Sequence, residues 1–244
     1  MTRRKRADIL LVERGLFESR TRAQAAIAAG LVTADGVPLR KASEEIATDA
    51  TVQATPEHPF VSRGALKLSA ALDHFGFDPG GDVCLDVGAS TGGFTEMLLA
   101  RGAAKVYAVD VGRGQLHARL RADPGVVLLE ETDIRALEPA RLPEAPDFAA
   151  VDVSFISLKL VLPALDRLLA RPAHLIALIK PQFEAGRPKA KKGIVRDAAV
   201  HAAVCEDIAA FATSLGWNVA GVIPSPIEGG DGNREFLLGA HRLA

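Results

Sequence analysis

From Val61 onward, short runs of apolar residues alternate with stretches whose apolar positions recur at helical spacing. The runs predict strands near 82–88, 105–110, 125–130, 147–153, 174–180, 217–223 and 234–240. The intervening stretches predict helices near 62–75, 93–101, 114–121, 157–170 and 197–215. Such alternation predicts an α/β fold with a mostly parallel sheet covered on both faces. One run breaks the pattern at its end: "LIALIK" takes a buried strand onto Lys180, and Pro181 follows. Proline disfavours helical geometry in the residue before it, so this is a strand ending on an ammonium group.

The first 55 residues have a different rhythm. "RADILLVERGLF" carries apolar residues at helical spacing, and a second helix begins at Ser19, an N-cap residue, and stops at Gly30. Short strands follow, with a tight turn expected at Asp35-Gly36. "TPEHPF", at 55–60, reads as a proline-bracketed link.

Composition adds exclusions. No apolar run reaches the ~20 residues that span a bilayer, and Asp8 and Glu13 interrupt the apolar stretch of the basic N-terminus, so it does not read as a secretory signal. Cys84 and Cys205 lie far apart and the six histidines are scattered, which predicts reduced thiols, no metal site and a cytoplasmic protein. The net charge is −1, yet residues 1–22 carry +4 through Arg3, Arg4, Lys5, Arg6, Arg14, Arg20 and Arg22. That asymmetry suggests a polyanion partner for Arg3, Arg4, Lys5, Arg6, Arg20 and Arg22, although a solvated basic tail is the simpler alternative. Arg187, Lys189, Lys191, Lys192 and Arg196 form a second basic run just after Lys180. Phe155 and Phe183 are candidates for base stacking or for the core.

The chemistry-bearing motif is "CLDVGASTGGFTEMLL", a strand, a glycine turn and a helix. Such a turn brings backbone amides close to a ligand. It lacks the G-x-G-x-x-G of a dinucleotide site, and its acid, Asp86, precedes the glycines. Asp86 can hold a cationic amine or order the turn, which suits S-adenosylmethionine better than a pyrophosphate. Asp110, at the end of the next strand, suits two ribose hydroxyls, and Asp133 suits an adenine amino group. The turn residues Gly88, Ala89, Ser90, Thr91, Gly92, Gly93 and Phe94 join Asp86, Asp110, Asp133 and Asp152 as the expected cofactor contacts.

Asp152 and Lys180 end the fourth and fifth strands. Glu235 opens the last strand, which should run antiparallel and so start at the same edge, and Lys67 lies on the helix before the first strand. Two lysines and two carboxylates at one edge fit methyl transfer to a ribose hydroxyl, with Lys180 as base and Lys67 steadying the alkoxide. A purely structural ion pair is the competing reading.

These residues resemble a known pattern. Residues 61–240 are similar to the FtsJ-like family of RNA ribose 2′-O-methyltransferases, whose Lys-Asp-Lys-Glu tetrad is matched by Lys67, Asp152, Lys180 and Glu235. "LLVERGLFESRTRAQAAIAAGLVTADG" resembles the S-four-type (alpha-L) RNA-binding domain, and the two together, with "VSRGALKL", "DVSFISL", "IKPQFEAG" and "GNREFLL", resemble the TlyA family. The resemblance implies a Rossmann-like class I methyltransferase with a seven-stranded, mostly parallel sheet over 62–244, a linker at 56–61, and a small α+β RNA-binding domain over 1–55. It implies S-adenosylmethionine-dependent 2′-O-methylation of cytidine in ribosomal RNA, with ribosomal RNA or a ribosomal subunit as partner. The short C-terminus leans towards the large-subunit RNA. Some members are called haemolysins; no spanning segment here supports a membrane role. A non-catalytic ribosome-assembly factor remains the alternative from a different class.

Overall fold

The computed structural model describes residues 3–17, 19–55, 58–186, 193–229 and 232–243, and the chain divides into two compact units, Met1–Pro59 and Phe60–Ala244.

In the first unit, β1 (Arg4–Arg6) leads directly into α1 (Ala7–Glu13), followed by α2 (Arg20–Ala28), β2 (Val32–Ala34), β3 (Val37–Pro38), β4 (Glu45–Ala47) and β5 (Val52–Ala54). Ser19 caps α2 by accepting from the Arg22 amide at 3.3 Å. Asp35 and Gly36 both take left-handed φ values, 50° and 78°, and join β2 to β3 in the two-residue hairpin expected there. Strand β1 pairs antiparallel with β4, and β3-β2-β5 form a second small sheet. The sequence reading missed β1, a run of three basic residues with no alternation to betray it. Leu10, Leu11, Phe17, Ile27, Val32 and Ile46 fill the core beneath.

The second unit runs α3 (Gly64–Phe75), β6 (Val83–Val87), α4 (Gly93–Ala100), β7 (Lys105–Val109), α5 (Ala118–Arg121), β8 (Val126–Leu129), β9 (Phe148–Val151), α6 (Leu158–Leu168), β10 (Ala173–Ile179), α7 (Pro181–Glu184), α8 (Ala198–Ser214), β11 (Asn218–Pro224) and β12 (Phe236–Arg242). The sheet order is β11-β12-β10-β9-β6-β7-β8, and only β12 runs against the others. All seven strands fall where the apolar runs placed them. The helix expected over 114–121 is a single turn, because "DVGRGQL" spends its length on the loop after β7. The turn α7 was not anticipated; Pro181 starts it at the first helical position, where its missing N–H costs nothing.

Strand alternation sorts the core onto the two faces. Leu85, Val87, Leu175, Ala177 and Ile179 face one layer with Leu158, Val161, Leu162, Leu165, Ile208 and Trp217. Cys84, Ile176 and Leu178 face the other with Leu68, Leu72, Phe94 and Leu98, and Phe60 packs there too. With both faces covered, the polar side chains of the sheet are left its ends, and the cleft opens at the carboxyl end.

Candidate active site

Three of the parallel strands deliver a polar site residue as they leave the sheet: Asp110 after β7, Asp152 after β9 and Lys180 after β10. Ile179 pairs with Phe236 across β10 and β12, so the antiparallel β12 begins where β10 ends, and Glu235 stands at that edge. On α3, Lys67 sits on the buried side with Leu68, Ala71 and Leu72.

The four tetrad residues form two ion pairs. Lys67 Nζ donates to Glu235 Oε2 at 2.5 Å, with side chains only 10% and 4% exposed. Lys180 Nζ lies 2.6 Å from Asp152 Oδ1, an ion pair without hydrogen-bond alignment, and donates to Ser154 Oγ at 2.9 Å. Asp152 and Ser154 line a cavity of about 1100 Å³, together with Gly88, Ser90, Asp110, Asp133, Phe155 and Phe183. Glu235 borders a separate, smaller cavity of about 270 Å³ beside Pro224 and Phe236. The sequence reading had all four converge on one cleft; the structure gives two neighbouring pairs, one of them almost wholly enclosed.

The turn residues divide between ligand-facing and packing roles. Gly88 and Ser90 line the cavity, whereas Asp86, Ala89, Thr91, Gly92, Gly93 and Phe94 do not. Gly88 has φ +88°, and a Cβ there would lie 2.3 Å from the Asp152 carbonyl oxygen, so this glycine lets β6 and β9 close together under the cleft. A Cβ on Gly93 would lie 2.1 Å from Ser62 Oγ and 3.1 Å from the Ala65 amide; Gly93 is there for the start of α3. Phe94 is a core residue, 3% exposed.

Asp110 accepts the Ser90 amide at 2.8 Å and the Gly112 amide at 2.7 Å, one on each oxygen. Each oxygen keeps a further lone pair for a hydroxyl in the cavity. Asp133 lines the cavity but is gripped by Arg135, 2.5 Å away, whose hydrogen bonds hold its carboxyl below the usual range. Asp86 is fully buried; Oδ2 accepts from Thr95 Oγ1 at 2.6 Å, and Oδ1 has no partner. Burial pushes its pKa up to about 7, the Thr95 hydroxyl opposing and the Asp152 and Asp110 charges adding. Of the two roles expected for Asp86, the structure fits the ordering one: it is fully buried and does not line the cavity.

In the first unit the basic residues are less free than their sequence suggests. Arg6 and Arg20 both bind Asp8, at 3.0 and 2.8 Å, and Gln24 adds a bond at 2.8 Å to this fully buried carboxylate. Hydrogen bonds from Arg6 first, against burial, and then from Arg20 and Gln24 hold the Asp8 carboxyl far below its usual range. Lys5 pairs with Glu13 at 2.7 Å, Arg4 donates to the Glu45 carbonyl and Arg22 to that of His58 at 3.4 Å, while Arg3 is exposed. Arg187, Lys189, Lys191 and Lys192 lie outside the described residues; Arg196 is exposed.

Sequence reasoning missed Ser154, Thr95 and Glu184, which contact the proposed site residues or the segments that carry them. The only available signal was position: Ser154 lies two residues after Asp152, and Glu184 four after Lys180. Among the described residues, no group of three or more His, Cys, Asp or Glu could hold a metal ion, and no helix is long and apolar enough to cross a membrane.

Residues 60–242 match the model of the FtsJ-like methyltransferases, and residues 5–52 match the S4 domain. A Bacillus subtilis protein named as an rRNA methyltransferase, YqxC, is 48% identical, covering 98% of this chain and 86% of its own length. The Mycobacterium tuberculosis protein named 16S/23S rRNA (cytidine-2′-O)-methyltransferase TlyA is 47% identical, over 98% of this chain and 90% of that protein. A solved Streptococcus thermophilus structure titled as a hemolysin superposes with a TM-score of 0.79 at 42% identity, covering all of this chain and 90% of the other. The chain therefore belongs to the TlyA family, in which an S4 domain is followed by an FtsJ-like methyltransferase domain.

Proposed function

We propose that this protein transfers the methyl group of S-adenosylmethionine to the 2′-hydroxyl of a cytidine in ribosomal RNA. The observation that carries the reading is the pair of lysine–carboxylate contacts, Lys180–Asp152 and Lys67–Glu235, at the carboxyl edge of a methyltransferase sheet. The name of the Mycobacterium tuberculosis relative supports the cytidine ribose as the target.

The cavity fits the cofactor. Asp110 offers two oxygens to ribose hydroxyls, and the edge of the Gly88–Ser90 turn is open to it. Asp133 takes the adenine amino group by sharing its carboxylate with Arg135. The bound cofactor supplies an electrophilic sulfonium methyl. Lys180 serves as the base for the 2′-hydroxyl proton, and Asp152 and Ser154, which line the cavity, hold its Nζ. General-base help of this kind is worth about 10²–10⁴-fold. Lys67, fixed by Glu235, places a cation behind the developing alkoxide. Arg3, Arg4, Lys5, Arg6, Arg20 and Arg22, with Lys189, Lys191 and Lys192, contact RNA phosphates, which position the substrate without reading its sequence. Phe155, 91% exposed beside the cavity, is placed to stack on the target base.

The test is methyl transfer from labelled S-adenosylmethionine to both ribosomal subunits and to naked ribosomal RNA, with product nucleosides identified by mass. The expected product is 2′-O-methylcytidine, absent with Lys180→Ala although that variant still binds the cofactor. Cofactor binding without incorporation into any of these substrates would overturn the reading in favour of an assembly factor.

A further inference from the structure

Beyond the ends of β9 and β10, no ladder hydrogen bonds join the two segments that carry Asp152 and Lys180. Side chains join them instead, in matched order. Lys180 meets Asp152 and Ser154; the Phe183 ring lies 5.1 Å from that of Phe155; and Glu184 meets Ser157 and Leu158. The last contact is a pair of hydrogen bonds to one carboxylate. Ser157 Oγ donates to Glu184 Oε2 at 2.5 Å, and the Leu158 amide donates to Oε1 at 2.8 Å.

Capping alone does not account for this carboxylate. Helix α6 already has its N-cap: Ser157 Oγ accepts from the Lys159 amide at 3.1 Å. Glu184 reaches the same helix end from another chain segment, and it does so partly buried. Burial raises its pKa, opposed by the Leu158 amide and the Ser157 hydroxyl; Lys159 also lowers it and Asp207 raises it, while those two pair with each other at 2.6 Å. A partly buried carboxylate is costly unless it is hydrogen-bonded, and these two bonds offset that cost. What they add is a fixed distance between the segments. Between the outer and inner rungs, Phe155 is held at φ +63°, a left-handed conformation that is strained for a residue with a side chain and persists only where its surroundings impose it.

Resting on the methyltransferase reading above, we propose that Glu184 is a positioning residue for the reaction. By tying α7 to the start of α6, it sets where Lys180 Nζ stands relative to Asp152, Ser154 and the cavity. It touches neither cofactor nor substrate.

The test compares wild type, Glu184→Gln, Glu184→Asp and Ser157→Ala on ribosomal substrate, measuring kcat, KM for RNA, the Kd for S-adenosylmethionine and the melting temperature. Glutamine turns an N–H towards a donor and loses one rung bond. A displacement on the order of 1 Å at a reacting group costs about 10²-fold, so kcat of Glu184→Gln should fall between about 10- and 100-fold, with Kd and KM within about twofold. Glu184→Asp keeps both acceptors and should recover most of the rate. Ser157→Ala, which removes one donor, should lower kcat in the same direction by less, and it carries the test if Glu184→Gln does not fold. A lowered melting temperature with unchanged kcat would make Glu184 merely structural and overturn the proposal; so would equal losses in kcat and cofactor affinity. If wild type itself transfers no methyl group, it is the methyltransferase reading that fails.

Discussion

Replacing Lys67 by Met removes one half of the most enclosed ion pair in the site and leaves Glu235, 5% exposed, without its cation. Glu235 cannot easily turn to water: a Cβ on Gly229 would lie 2.5 Å from its Oε1, which shows how closely that backbone covers it. Breaking a buried pair by removing one partner costs about 3–5 kcal/mol, most of it the charge left behind. For a unit of this size each kcal/mol lowers the melting temperature by about 2–4 °C, so Lys67→Met should melt roughly 6–20 °C below wild type. Adding Glu235→Gln removes the stranded charge, and the double variant should regain most of that loss. Methyl transfer should be lost in both single variants and in the double. The assay is thermal unfolding of all four proteins without cofactor, alongside labelled methyl transfer. A double variant no more stable than Lys67→Met would show that the pair is not the desolvated unit described here. Activity retained in Lys67→Met would remove it from the mechanism whatever its stability.

Two further outcomes follow from buried carboxylates. The folded pKa of Asp86 is raised to about 7 against an ordinary value near 3.9, so the fold favours its protonated form. Its contribution is fully present below about pH 4, declines as pH rises and is gone above about 7. Asp86→Asn, free of that loss, should gain on wild type in cofactor-free melting temperature between pH 4 and 7 and then hold a constant lead; parallel curves would refute the assignment. In the S4 unit, Asp8→Asn removes a negative charge, which alone should tighten RNA binding, yet it frees Arg6 and Arg20 from their common anchor. RNA affinity measured by filter binding should therefore fall, and a rise would mean that charge outweighs arrangement.

From the sequence came the seven strands of the larger sheet and the edge on which the chemistry stands, though neither β1 nor the turn α7. Apolar runs too short for helices, broken by glycine and proline, located all seven strands of the larger sheet, because a strand buried on both faces tolerates few polar residues. For the same reason Lys180, Asp152 and Asp110 could be placed at strand ends. Tertiary structure alone decided which side chains meet. Gly93 and Phe94 read as cofactor contacts, but α3 claims the space beside one and the core encloses the other, contacts set by residues some thirty positions upstream. Arg6 and Arg20 read as free cations, until the burial of Asp8 drew both onto one carboxylate. The tetrad resolved into two pairs because Lys67 lies within the packing of α3 while Lys180 stands in the loop beyond β10. Periodicity records how much of an element is covered; it carries no record of which distant residue does the covering, and pairing and pKa depend on that.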